Sequence, residues 1–198
     1  MKNISDISLA GFAVLALLFL YLPDAVLILF SFNDSKLMTL PLSGFTLDWY
    51  TAVFANEAMM RALRNSLLVA SVSISISLVI GTMAAFALDR IDFVGKIMFR
   101  RIVLLPISLP GIIVGISILN MSSVVGLRLS LTTVILGHTA MLLAIVVTQV
   151  SARLQRLDRT IEEAAADLGA SPWETFIRVT LPNIRSALIG SALLSFTV

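Results

Sequence analysis

The chain has 198 residues, of which 58% are hydrophobic and 13% charged, and its mean hydropathy is +1.00. That balance excludes a soluble domain of this size and indicates a membrane protein. The absence of cysteine excludes disulfide staples and thiolate metal sites, and a formal net charge of +2 carries no nucleic-acid signal.

From the N-terminus, Lys2 precedes an apolar run from Ile7 to Phe32 that is interrupted by Pro23-Asp24. Leu20-Tyr21-Leu22-Pro23 offers no small-x-small cleavage site, so the run reads as an uncleaved first span. Crossing the hydrocarbon takes about 20 mostly apolar residues. Four stretches meet that need: 9–32, 64–88, 102–122 and 131–152. Asp24 lies in the second half of the first. Isolated membrane carboxylates are costly and face protein or water. Two readings of Asp24 stand: a cation contact in a solute pathway, or capping or pairing beside the Pro23 break.

The segment from Asn33 to about Ala62 reads as a short amphipathic helical region outside the membrane, with Trp49 and Tyr50 as interfacial anchors. In the second span Ser71, Ser73, Ser75 and Ser77 alternate with Val72, Ile74, Ile76 and Leu78. That period of two is a strand signal. A lone strand in lipid leaves its backbone unpaired, so a helix is expected instead, with serine hydroxyls bonding carbonyls one turn back. Gly81, Ala84 and Ala85 supply a small-residue face for close packing. The third span carries Pro106, Pro110, Gly111 and Gly115. Proline kinks a helix, and the carbonyls it frees must face protein or water. The span is therefore either kinked for packing or the border of a pathway. His138, in the fourth span, is the only histidine, so a metal constellation is excluded and a hydrogen bond inside the bundle is expected.

Residues 153–183 form a polar stretch between spans. Thr160 to Leu168 are strong helix formers, with acids that favour a helix start. Gly169 stands where a left-handed residue would end that helix. Ser171-Pro172-Trp173-Glu174 reads as a capping box opening a second helix, and Leu181-Pro182 is expected to stop it. Leu168, Ala170, Trp173 and Phe176 are its apolar knobs. Lys and Arg number ten on the side of Lys2, the 89–101 loop and the 153–185 loop, against four (Lys36, Arg61, Arg64, Arg128) on the other. The N-terminus and the 153–183 loop are therefore expected in the cytoplasm. A fifth apolar run begins near Ile184 and reaches Val198, fifteen residues, which is short of a crossing. A completed fifth span and a sixth are expected in an intact protein, of which this would be a truncated form.

Glu163-Ala164-Ala165, three residues, Gly169, nine residues, then Val179-Thr180-Leu181-Pro182 resembles the E-A-A-x3-G-x9-I-x-L-P loop of ABC importer permeases. Val179 replaces the usual Ile. Ser31-Phe32-Asn33, Gly44 to Tyr50 and Asn65-Ser66-Leu67 are similar to the spermidine/putrescine branch, most of all to its second permease subunit. The resemblance implies an all-α polytopic bundle of the type I importer (MetI-like) fold, residues 1–198 forming one transmembrane domain in a bacterial inner membrane. It implies a partner permease in a heterodimer, two cytoplasmic ATPase subunits that bind ATP, and a periplasmic solute-binding protein. Glu163, Ala164, Ala165, Gly169, Ser171, Trp173, Leu181 and Pro182 become coupling-loop positions, and Asp24, Pro106 and Pro110 candidate pathway positions. The motifs recur in permeases for iron, thiamine, opines and other small solutes, so those remain alternatives to a polyamine.

The chain carries no cofactor site of its own. The only Gly-Lys pair, Gly95-Lys96, is followed by Ile97, with Arg90 where a P-loop needs its first glycine. Two other classes compete with the importer. A scaffold or sensor would recruit a cytosolic partner without moving solute. An intramembrane enzyme would need more than Asp24.

Overall fold

A computed structural model describes residues 4–197. Lys2, counted above toward the cytoplasmic side, and Val198 lie outside the described residues. The chain divides into two units, Met1–Ala62 and Leu63–Val198.

In the first unit, α1 (Ile4–Ser31) runs straight through Pro23, so the expected break is absent. Lost bonds at a membrane proline are tolerated where other groups satisfy the freed carbonyl. The unit's second helix, α2 (Asp48–Ala55), is fastened to the end of α1 by polar side chains. Asn33 is 1% exposed. Its Oδ1 accepts the Ser43 N–H at 3.0 Å, and its own carbonyl accepts Trp49 Nε1–H at 2.8 Å. The Ser31 and Tyr50 hydroxyls are 2.7 Å apart. Trp49 and Tyr50 are thus fasteners as well as amphipathic rings. Only the second role is legible in the sequence, because their partners lie 16 and 19 residues away.

In the second unit the serine-rich span is helical, as the bilayer argument required, within α3 (Glu57–Arg90). Only Ser75 bonds back along its own helix, to Ser71 O at 2.7 Å. Ser73 and Ser77, one turn apart, instead donate at 3.2 Å to Ile135 O and Thr139 O of α6 (Leu131–Leu154). Interhelical bonds of this kind contribute about 0.6 kcal/mol each in lipid. They require close approach, which Gly81 permits: a Cβ there would lie 2.7 Å from Val146 Cγ1. Ala84, Ala85 and Leu88 of α3, Val146, Val147, Val150 and Leu154 of α6, and Ile184 of α9 (Leu181–Phe196) make the core.

The third span departs from a simple kinked crossing. α4 (Lys96–Leu104) continues into a 3-10 turn, Leu105–Ser108, and α5 (Gly111–Val125) leaves at 111°. Pro106 sits in that turn, and Pro110 caps α5 as its N-cap residue. Two donors missing four residues apart interrupt the ladder, and the chain folds back at the extended residue before Pro110, Leu109.

A second correction concerns Pro182. After α7 (Thr160–Asp167), α8 (Pro172–Thr175) does not stop there. A π-helical turn, Phe176–Thr180, joins it to α9, so the last apolar stretch is a 25-residue helix, Pro172–Phe196, long enough to cross. The Leu181 N–H reaches five residues back to Phe176 O. The widened turn accommodates a proline that would otherwise break an α-helical ladder.

Candidate functional site

The hairpin formed by α7 and α8 is built from local signals. Glu162 and Glu163 stand in the first turn of α7, where they complement the helix dipole. Asp158 Oδ1 accepts the Thr160 N–H at 3.0 Å, and this bond holds its carboxyl below the usual carboxylate range. At the other end Gly169 has φ +87°. Its N–H bonds Ala166 O at 2.9 Å and the Ala170 N–H bonds Ala165 O at 3.0 Å, the paired bonds of a Schellman cap. Two residues on, Ser171 Oγ accepts the Glu174 N–H at 3.3 Å while Glu174 Oε2 accepts the Ser171 N–H at 3.0 Å. The reciprocal capping box is complete.

Both helix ends are therefore satisfied, and the apolar side chains between them face outward. Leu168 is 89% and Trp173 68% exposed. Glu163 and Ala164 are also exposed, whereas Ala165 and Ala170 are half-buried. Between α7 and α8 lies a cleft of about 360 Å³ bordered by Ala165, Gly169, Ala170, Glu174 and Arg178. Phe176 is not a knob. It is half-buried and stacks under Trp173, ring centroids 5.8 Å apart, and forms a T-shaped pair with Phe86 of α3 at 5.4 Å. Leu181 is half-buried against the core and Pro182 exposed, one turn beyond the hairpin in the continuing helix.

What holds the hairpin from beneath has no mark in the local sequence. Arg90, the last residue of α3, places Nε 2.8 Å from Glu162 Oε2. Glu162 Oε1 accepts the Thr180 hydroxyl at 2.6 Å. Arg159 Nη2 donates to Asp89 O at 2.9 Å and lies 3.7 Å from Asp89 Oδ2, to which Arg90 Nη1 is also bound. The separations, 18 to about 70 residues, leave no local pattern from which to read these pairs.

The remaining candidates are dispersed. Pro106 and Pro110 bound the α4–α5 fold-back. Beyond it, a cleft of about 360 Å³ between α5 and α6 is lined by Gly111, Gly115, Ile118, Gly137, His138 and Met141. His138 Nδ1 lies 3.0 Å from Val134 O of its own helix. Asp24 is exposed in α1 of the first unit. Among the described residues no group of three His, Asp or Glu side chains could hold a metal.

Residues 77–198 match the family described as "Binding-protein-dependent transport system inner membrane component". The chain is 36% identical over 192 residues to the putrescine transport system permease protein PotI of Escherichia coli (strain K12), covering 93% of this chain and 68% of that one. It is 32% identical over 188 residues to the spermidine/putrescine transport system permease protein PotC of the same strain, covering 95% and 71%. In fold it is similar to a bacterial ABC transporter involved in the import of the acidic polysaccharide alginate, with a TM-score of 0.71 at 18% identity, over 100% of this chain and 72% of that one.

Proposed function

The chain belongs to the family of binding-protein-dependent transport system inner membrane components, and from that premise we propose that it forms half of the solute pathway of an ATP-driven polyamine importer. A periplasmic binding protein delivers the solute. The other half of the pathway is a second permease in a heterodimer. Two ATPase subunits bind and hydrolyse ATP in the cytoplasm, where the N-terminus and the α7–α8 hairpin also lie. The polyamine assignment follows the two permeases at 36% and 32% identity, one named for putrescine and one for spermidine/putrescine.

The observation that carries the coupling role is the hairpin itself. Its ends are capped, yet Leu168 and Trp173 present apolar surface at its tip. An exposed apolar feature on a rigid mount fits a groove on a soluble partner. A push on that tip travels through Trp173 and Phe176 to Phe86 of α3, so closure of the ATPases can reach a spanning helix. The fold-back at Pro106 and Pro110 presents unladdered backbone at membrane depth, which lipid does not tolerate and a water-lined pathway does.

The test is uptake of labelled putrescine and spermidine by cells lacking this chain and by the same cells complemented with it. Complementation should restore uptake that excess unlabelled polyamine abolishes. Restored assembly with the ATPase but no restored polyamine uptake would assign the importer to another small solute.

A further inference from the structure

Glu162 and Glu163 are adjacent, but only Glu163 faces outward with the hairpin tip. Glu162 is turned in, and each of its carboxylate oxygens is held by a different helix. Oε2 lies 2.8 Å from Arg90 Nε at the end of α3, and Oε1 accepts Thr180 Oγ1–H at 2.6 Å at the end of the π-helical turn. The side chains are shielded: Arg90 is 10% and Glu162 15% exposed, and Thr180 is 1% exposed. A third tie runs from Arg159, just before α7, to the carbonyl of Asp89. The ion contact is not a finished one. Among the described residues neither Arg90 Nε nor Nη2 has an aligned hydrogen-bond partner. Nη2, which no other protein group among the described residues meets, leaves room for a second seating of the guanidinium.

We propose that the Arg90–Glu162–Thr180 triad is the positioning element that converts displacement of the hairpin into displacement of α3 and of the π-helical turn. The proposal rests on the importer reading above and names the residues through which that importer is coupled. A two-state element needs contacts that can be exchanged between two arrangements. A charge shared by two helices, with an unused donor beside it, supplies them. A π turn is a place where a helix can re-register without unfolding.

The experiment uses the complete transporter in proteoliposomes, with its binding protein loaded with putrescine. Arg90→Gln, Glu162→Gln, their double variant, Arg90→Lys and Thr180→Val are compared with the unsubstituted complex. Co-purification of the ATPase and unstimulated ATP hydrolysis should persist in all of them. Stimulation of hydrolysis by the loaded binding protein should fall by roughly threefold to thirtyfold in Arg90→Gln and Glu162→Gln. The double variant should be no worse than either single one, because both remove the same contact. Arg90→Lys should recover part of the loss and Thr180→Val should lose part. Unchanged stimulation overturns the triad, as do losses that multiply in the double variant. Loss of ATPase co-purification also overturns it, since the residues would then only build the hairpin. If the unsubstituted complex shows no stimulation at all, the importer reading fails first and the triad with it.

Discussion

Replacing Gly169 tests whether the hairpin works as a rigid unit. Its φ of +87° lies in the left-handed region, and a Cβ built there meets nothing within 4 Å. The cost of a side chain is therefore backbone strain alone, with no clash to relieve. For an alanine that is about 1–2 kcal/mol, enough to lower the population of the native turn by about 5–30-fold against competing loop conformations. Asparagine tolerates this region better, and a β-branched residue tolerates it least. The two Schellman bonds, from Gly169 N–H and Ala170 N–H, weaken as the turn opens. Membrane levels should stay normal, because the position is exposed and outside the packed core. ATPase co-purification and polyamine uptake should fall in the order Gly, Asn, Ala, Val. The assay is pull-down of the ATPase normalised to permease by immunoblot, paired with uptake in cells. Gly169→Val docking as well as the parent, or Gly169→Asn doing worse than Gly169→Ala, would refute the argument from backbone conformation.

Three further outcomes follow from the same structure. Gly81→Ala puts a Cβ 2.7 Å from Val146 Cγ1 and 2.8 Å from Val146 Cβ, so thermal stability in detergent should drop by about 1–3 kcal/mol and recover with Val146→Ala; an unaltered melting curve contradicts the packing. A cysteine at Asp48 should react with an impermeant thiol reagent from outside and one at Asp167 should not, a clean test because the chain has no cysteine; the opposite pattern inverts the orientation. Asp24→Asn should leave assembly and docking intact while lowering putrescine uptake, and it removes a membrane charge worth about 2.5–3.5 kcal/mol of insertion cost; unchanged uptake takes Asp24 out of the pathway.

What could be read in the sequence was local. The spans at 9–32, 64–88 and 131–152 follow from composition, whereas the stretch 102–122 is a bent helix pair and the last run belongs to a 25-residue helix. The serine alternation, misleading as a strand signal, is overruled by the bilayer. The hairpin is legible because caps are written within a few residues of one another: Gly169 after α7, then Ser171 and Glu174 around α8. What could not be read was set by distant partners. Pro106 and Pro110 mark a disturbance, but whether a helix kinks or folds back by 111° depends on what packs beside it. Pro182 reads as a stop, and the π-helical turn that carries the helix past it leaves no separate mark in the sequence. Glu162, Arg90 and Thr180 are ordinary residues in their own helices, and only the packed unit makes them neighbours. Phe176 has the spacing of a knob and is turned inward by Phe86, a residue from another helix.

The central claim is that the tip of the hairpin is where a cytoplasmic ATPase takes hold. A photoreactive amino acid at Leu168, 89% exposed, should trap the ATPase subunit in intact cells, with a yield that changes when ATP hydrolysis is blocked. The same group at Leu47, 61% exposed at the N-cap of α2, should trap none. Capture of the ATPase from Leu47, or its absence from Leu168 in a complex that still imports solute, would contradict the account.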